Sequence, residues 1–429
     1  MQKAQQLAAQ AIKQVLAGSN LTVVLESIFR DEATSLTPQQ RATVQDLSYG
    51  TLRFYGQLQA LLDRLLEKPL KDKPLHMLLL VALYQLQHGK TSPHTVVDQA
   101  VKAAAAINRN SWARGLVNAV LRNFLRRQKA LLDEIAESEV ARYSYPQWWI
   151  NKLKSQYPDG WQSMLLAGNA HPPMTLRVNS RQNSAEAYVQ QLHEQALPAR
   201  LLGQQAVMLE KPSPVDRIPG FYEGRVSVQD YGAQLAGQLL NVHNGMRVLD
   251  ACCAPGGKTG HLLELADVGL LGLDSDSQRL QRVQQNLERL GLRAQLAAGD
   301  AATPDGWWDG RPFQRILADV PCTASGIVRR HVDIKWLRRQ SDIASFAGQQ
   351  AAILRALWPL LAKDGKLLYV TCSVFHEENQ QQIDRFLETH ADARQLPLPA
   401  LPDNYQQQDG QLRPCADHDG FFYAVLQKA

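Results

Sequence analysis

The chain has 429 residues, of which 45% are hydrophobic and 20% charged, and a formal net charge of +5. This is ordinary globular composition at a length that predicts two to three domains, and it excludes a collagen-like, coiled-coil or mostly disordered protein. The longest apolar run, Met77 to Tyr84, falls well short of the roughly 20 residues of a membrane span, so no membrane partner is expected.

The N-terminus, MQKAQQLAAQAIKQVL, is Gln-rich and amphipathic and lacks the pattern of a secretory signal. Five cysteines make an odd count and no disulfide framework, so a cytoplasmic location with reduced thiols is expected. Residues 1–135 read as helices throughout, with apolar residues at helical spacing in Leu7, Ile12, Val15 and Leu16 and again in Leu58, Leu61, Leu62 and Leu65. Gly56, the stretch from Pro69 to Pro74 and the segment from His88 to Pro93 are expected to break the pattern. A bundle of this size is expected to fold alone.

Residues 1–150 carry 18 Lys/Arg against 12 Asp/Glu, so this third of the chain holds the whole positive excess. Between Gln99 and Leu132 there are seven basic residues and no acidic one: Lys102, Arg109, Arg114, Arg122, Arg126, Arg127 and Lys129. A one-signed helical stretch points either to a polyanion such as nucleic acid or to a solvated face. A second cluster comprises Arg329, Arg330, His331, Lys335, Arg338 and Arg339, and is expected to contact phosphates.

Residues 136–225 are expected to form a connecting segment and a small α/β subdomain, with a strand from Met174 to Asn179 and a helix from Ser184 to Glu194. From residue 226 to 429 strands and helices alternate. The strands are expected at Arg247–Asp250, Val268–Leu273, Gln295–Ala298, Arg315–Ala318, Lys366–Thr371 and Phe421–Leu426, with an amphipathic helix from Ser277 to Leu290 and a long one from Ser341 to Leu361. Repeated β–α alternation predicts a doubly wound, mainly parallel, Rossmann-like sheet.

In such a sheet ligands bind beyond the carboxyl ends of the strands. Asp250, Asp274, Asp300 and Asp319 fall at strand ends, and Cys322 and Cys372 at or just after them, so all six are expected to approach one crevice. The loop Ala254-Pro255-Gly256-Gly257-Lys258-Thr259 leads into a helix N-terminus, which favours a carboxylate or phosphate. It is not a P-loop, because Cys252 occupies the position of that motif's first glycine, and it lacks the G-x-G-x-x-G pattern. A ribose-binding acid at Asp274, an adenine acceptor at Asp300 and a carboxylate near the glycines suit S-adenosylmethionine. Two cysteines beside such a donor suit methylation at C5 of a pyrimidine: thiolate addition at C6 activates C5, and Asp319 is placed to contact the base edge. The residues themselves leave open which cysteine attacks. The Cys252-Cys253 pair has the wrong spacing for a metal, and no metal site is expected.

These segments resemble the NOL1/NOP2/Sun family of RNA 5-methylcytosine methyltransferases, most closely its bacterial members that act on small-subunit (16S) ribosomal RNA. FQRILADVPCTA (Phe313 to Ala324), LDACCAPGGKT (Leu249 to Thr259), Thr371-Cys372-Ser373, RRHVDIKWLRR (Arg329 to Arg339) and LRVN (Leu176 to Asn179) carry the resemblance. It implies that residues 1–135 form a NusB-like RNA-binding domain. It also implies that Cys372 attacks C6 and that Cys322 assists release. Cys252, Cys253, Ala254, Pro255, Gly256, Gly257, Lys258, Asp274, Asp300 and Asp319 would hold S-adenosylmethionine. A monomer acting on ribosomal RNA is expected. The sequence departs from the family pattern at Cys253, where Ala is usual, at Gln314, at Val332 and at Tyr231-Gly232, and Cys253 is expected to add bulk beside the cofactor. An amino-group methyltransferase would show an Asn/Asp-Pro-Pro-aromatic loop where Asp319-Val320-Pro321-Cys322 stands. A non-catalytic RNA-binding factor would not need both cysteines.

Overall fold

The computed structural model describes residues 1–108, 110–399 and 410–429. Arg109, one of the seven basic residues named above, lies outside the described residues. The chain separates into two compact units: residues 1–170 together with 328–340, and residues 171–327 together with 341–429.

The first unit is helical, with α1 (Gln2–Leu16), α2 (Leu21–Asp31), α3 (Pro38–Arg53), α4 (Tyr55–Leu65), α5 (Lys73–His88), α6 (Pro93–Ile107), α7 (Ser111–Ile135), α8 (Glu139–Tyr143), α9 (Gln147–Gln156) and α10 (Trp161–Asn169). Local chemistry sets the helix starts. Thr37 and Gln40 form a capping box before α3, Asp72 caps α5 through Leu75 N–H, and Ser92 caps α6, each with proline in the first turn. The Pro-containing breaks of the sequence reading are therefore helix starts. Gly56 is not a break. It lies inside α4, where an added Cβ would stand 2.5 Å from Val140 O, so it admits the close approach of α8.

The compact helical unit extends beyond residue 135, because α8 to α10 belong to it. It is not built from the N-terminal residues alone. The segment from Val328 to Gln340 is packed into it, placing buried Val332, with Trp336 and Leu337, in the bundle core. Asp333 accepts hydrogen bonds from Leu21 N–H (2.9 Å) and Asn20 Nδ2 (3.1 Å). The Lys335 ammonium donates to Arg53 O (2.8 Å), Ser144 O (2.9 Å) and Asn169 Oδ1 (2.7 Å), and lies 4.4 Å from the centre of the Tyr145 ring. Trp336 Nε1 donates to Leu52 O, and its ring meets Tyr55 edge-on. Lys335 and Arg329 are fully buried, so these two members of the second basic cluster are not available to phosphate; Arg339 is exposed. A segment that reads as a cationic run is anchored by its charge inside the fold.

The second unit holds two sheets. The smaller is antiparallel, in the order β2-β3-β1-β4, from β1 (Met174–Val178), β2 (Ala199–Leu201), β3 (Ala206–Leu209) and β4 (Val226–Val228), with α11 (Ala185–Glu194) capped by Ser184. Three of these four strands were too short to show a pattern in the sequence. The larger sheet contains β5 (Arg247–Ala251), β6 (Gly269–Asp274), β7 (Gln295–Ala298), β8 (Phe313–Asp319), β9 (Leu361–Thr371), β10 (Ala393–Leu396), β11 (Gln411–Leu412) and β12 (Phe421–Lys428). Its order is β10-β12-β9-β8-β5-β6-β7, with β11 paired to β12. Strands β7, β6, β5, β8 and β9 are parallel, and β12 and β10 are antiparallel at one side. The helices are α12 (Tyr231–Leu240), α13 (Gly257–Leu265), α14 (Ser277–Leu290), α15 (Ile334–Leu337, within the segment that joins the first unit), α16 (Gln340–Leu357) and α17 (Gln380–Thr389).

The α/β expectation holds: an all-α unit is followed by a small α/β sheet and a doubly wound, mainly parallel sheet. Helix α14 shows why the pattern was readable. It buries Leu280, Val283, Leu287 and Leu290, Asp276 caps its start, and Gly291 ends it at φ 67°. The chain order reverses at β5, with β6 and β7 on one side and β8 and β9 on the other, so the crevice at a topological switch point opens above β5.

Candidate active site

Asp250, Asp274 and Asp319 end β5, β6 and β8 or lie one residue short of the end, Asp300 follows β7, Cys322 follows β8, and Cys372 follows β9. The register brings these ends level, with Asp250 opposite Gly272 and Leu317, and Asp319 opposite Val370. Side-chain contacts then tie the ends together. Lys258 Nζ donates to Asp319 Oδ2 at 2.6 Å, Ala254 N–H to Asp274 Oδ2 at 3.1 Å, and Thr259 Oγ1 to Asp250 Oδ2 at 2.6 Å. The sulfur atoms of Cys322 and Cys372 lie 3.4 Å apart, and both thiols are free.

Burial and charge set the electrostatics. Burial drives the Asp250 carboxyl up to about 7, against the hydrogen bond from Thr259 and with the charge of Asp319 adding to the rise. Its Oδ1 has no hydrogen-bond partner among the described residues. Burial opposes the charge on Lys258, but the neighbouring Asp319 outweighs it and holds the ammonium above its ordinary value, with Cys372 contributing. Burial lifts the Cys252 thiol to about 12, with the charges of Asp319, Asp274 and Asp250 adding to it. The hydrogen bond to Cys372, then burial, pushes the Cys322 thiol well above its ordinary value.

The glycine loop has the geometry of a cradle. Cys252 adopts φ 61° and Gly256 φ 93°, and Gly256 directly precedes α13, whose first N–H groups no side chain caps among the described residues. Among the described residues a Cβ on Gly257 would find only Gln229 Nε2, at 3.7 Å, so the approach to the helix start is open. Free N–H groups suit a carboxylate, and the row of acids suits hydroxyl and amino donors. An unpartnered buried acceptor at Asp250 is further room for a donor, so the residues present fit an aminoacyl nucleoside.

Three of the expected site residues also have roles within the fold. The Cys253 side chain is buried in the core with Leu280 and Val283, and its Sγ stands 3.2 Å from where a Cβ on Gly272 would be. Asp274 has structural work: Oδ2 takes Ala254 N–H at 3.1 Å, and Oδ1 takes Asp276 N–H at 3.1 Å and Arg279 Nη1 at 3.5 Å, which leaves Oδ2 the oxygen with a lone pair for a ligand. Asp300 is exposed, its Oδ1 accepting from Ala302 N–H at 2.9 Å. Of the other departures, exposed Gln314 accepts from the backbone N–H of Arg247 at 2.7 Å, and Val332 fills the helical core.

Sequence reasoning missed two residues behind the crevice. Arg177, on β1, is buried with Glu264 in a paired hydrogen bond (2.8 and 2.7 Å) and donates to Gly257 O at 2.6 Å, so the small sheet grips the start of α13. Glu378 accepts hydrogen bonds from the residues that follow both cysteines. The only trace of the second in sequence is that Thr323 and Ser373 are hydroxyl residues flanking cysteines. Among the described residues no group of His, Cys, Asp and Glu is arranged to hold a metal, and no helix is long and apolar enough to cross a membrane.

Three family models match the chain: the NusB family over residues 2–126, the RsmF/B-like ferredoxin-like domain over 145–216, and the 16S rRNA methyltransferase RsmB/F over 237–427. Ribosomal RNA small subunit methyltransferase B of Pseudomonas syringae pv. tomato is 43% identical over 433 residues, spanning 98% of this chain and 96% of its own. The protein of the same name from Serratia proteamaculans is 42% identical and covers 98% of both chains. The crystal structure of PH0851 shares the fold with a TM-score of 0.77 at 24% identity, over 100% of this chain and 99% of its own. With relatives this similar from end to end, and a NusB unit and a ferredoxin-like sheet preceding the catalytic sheet, the chain belongs to the RsmB family of 16S rRNA methyltransferases.

Proposed function

We propose that this rRNA methyltransferase methylates C5 of a cytosine in 16S ribosomal RNA through a covalent adduct, with Cys372 as the nucleophile. The observation that carries this reading is the pair of free thiols 3.4 Å apart beside the Lys258–Asp319 ion pair. Methyl transfer to an exocyclic amine or a hydroxyl needs no thiol, whereas C5 is a poor nucleophile until C6 is attacked.

S-adenosylmethionine, when bound, supplies an electrophilic methyl group. Its carboxylate would lie at the free N–H groups of α13, its ribose at Asp274 and its adenine amino group at Asp300, with the backbone from Cys252 to Lys258 enclosing it. Asp319, fixed by Lys258, would accept a hydrogen bond from the cytosine edge and orient the ring. The Cys372 thiolate forms the S–C6 bond, and the electron pair of the C5–C6 double bond moves to C5, which takes the methyl group. Loss of the C5 proton and cleavage of the S–C6 bond then restore the ring. The Cys322 thiol, 3.4 Å from the departing sulfur, would donate a hydrogen bond to it as negative charge returns there. The helical unit, with its basic α7, would bind the RNA.

The test is methyl transfer to unmodified 16S ribosomal RNA, read by nucleoside mass spectrometry. New 5-methylcytosine with wild type and none with Cys372→Ala is expected. Methyl transfer unchanged in Cys372→Ala would end the mechanism. Cys322→Ala is expected to leave an RNA–protein adduct on a denaturing gel.

A further inference from the structure

Behind the two cysteines lies a carboxylate that the reaction scheme does not use. Glu378 is fully buried in the turn that follows β9. Its Oε2 accepts from Thr323 Oγ1 and Ser373 Oγ, both at 2.5 Å, and its Oε1 accepts from Thr323 N–H at 2.8 Å and Gln350 Nε2 at 3.1 Å. Thr323 follows Cys322 directly, and Ser373 follows Cys372. One carboxylate thus holds the residue next to each cysteine, although the cysteines lie 50 positions apart in the chain.

The two cysteine segments are not equally anchored without it. Cys372 continues β9, whose last residue Thr371 is paired with Phe422 and donates through Oγ1 to Asn379 Oδ1 at 2.6 Å. The segment from Val320 to Ala324 has no regular secondary structure. Its backbone ties to the Cys372 strand include Val320 N–H to Val370 O (3.1 Å) on one side and Gly326 N–H to Cys372 O (2.8 Å) on the other, and the hydroxyls of Thr323 and Ser373 meet at 3.2 Å beside Glu378. Gln350 links the same segment to Glu378 by donating also to Pro321 O at 2.9 Å. Glu378 therefore restrains Cys322 more than it restrains Cys372. Burial raises its pKa, and the hydrogen bonds from Ser373, Thr323 and Gln350 act against that rise. A carboxylate is the acceptor-only group that such a converging set of donors requires.

We propose that Glu378 is a positioning residue that sets the approach of Cys322 to Cys372 and so controls release of the methylated RNA rather than attack on it. The link to release rests on the cytosine-C5 reading; the link to sulfur geometry does not. Glu378→Gln keeps the volume and lets its oxygen face the two N–H donors, but turns an NH2 toward the two hydroxyls, which must reverse. Glu378→Ala removes the clamp. Thr323→Val removes one donor should Glu378→Ala fail to fold.

Two measurements test this. The first is dibromobimane bridging of Cys322 to Cys372, followed by fluorescence and mapped by mass spectrometry without RNA. The second is the ratio of covalent RNA adduct to turnover. Both variants of Glu378 are expected to bridge about tenfold more slowly and to lose about tenfold in turnover while the adduct fraction rises, as a displacement on the order of 1 Å would produce. A merely structural defect would lower adduct and turnover together with bridging unchanged, and that result overturns the proposal. If wild type methylates without any adduct, the cytosine-C5 reading fails. The bridging rate then decides alone: slowed bridging in Glu378→Gln supports the positioning role, and wild-type bridging overturns it.

Discussion

The Cys322 and Cys372 sulfurs stand 3.4 Å apart across two segments that the sheet register brings together. Non-bonded sulfurs this close need a small approach to join. Peroxide would take two protons and two electrons from the pair, giving one disulfide and two waters. Mild oxidation is expected to abolish methyl transfer, and dithiothreitol to restore it. Peptide mapping should find a Cys322–Cys372 bridge. Inactivation with both thiols still free would refute this.

Asp250 predicts a pH dependence of stability. Its folded pKa, about 7, lies above its ordinary 3.8, chiefly through burial, so the folded state holds the proton more tightly than the unfolded chain. Its stabilising contribution is complete below about pH 4 and is lost as pH rises through 7. Asp250→Asn stays neutral at every pH. Relative to wild type, it should gain stability between pH 4 and pH 8, on the order of a few kcal/mol. Parallel stability curves for the two proteins in denaturant titrations at several pH values would count against it.

Arg177 predicts a coupling between the small sheet and the cofactor loop. Removing one partner of a buried pair leaves the other charge without compensation, so Arg177→Met should cost about 3–5 kcal/mol of stability. Because Arg177 also holds Gly257 O, cofactor binding should weaken further than in Arg181→Met, which loses an exposed ion pair with Asp267. Calorimetric titration of S-adenosylmethionine into both variants checks this, and equal affinities would remove the coupling.

Helix α7 presents Arg114, Arg122, Arg126 and Lys129 on its exposed surface, whereas Arg127 is paired with Glu134 at 2.9 Å and Lys102 with Asp98 at 2.8 Å. Neutralising those four is expected to flatten the salt dependence of RNA binding by a slope of roughly 3. Replacing Arg127 alone should change it less. An unchanged slope in filter binding across salt would make this a solvated face.

The chemistry-bearing residues were legible because strand ends are legible: an apolar run closing on Asp or Cys marks a position that the sheet must align, as at Asp250, Asp319 and Cys372. Helix α14 was legible through its caps and spacing. What escaped were residues whose partners lie far along the chain. Glu378 meets Thr323 across 55 positions and Arg177 meets Glu264 across 87, and neither separation leaves a local pattern. Lys335 misled for the opposite reason. A cationic run is normally solvated, but here three oxygens and an aromatic ring receive the ammonium inside the bundle.

The segment from Val328 to Gln340 makes the helical unit a discontinuous object. A fragment cut after residue 170 would carry an open slot where Val332, Trp336 and Leu337 belong, and would leave the acceptors that meet Lys335 without their donor. Supplying residues 328–340 in trans, as a synthetic peptide, should fill that slot. The full-length chain thereby acquires a folding order: ribosomal synthesis must pass residue 340 before its first unit can close, so the bundle matures only after the small sheet and strands β5 to β8 of the larger one have been made.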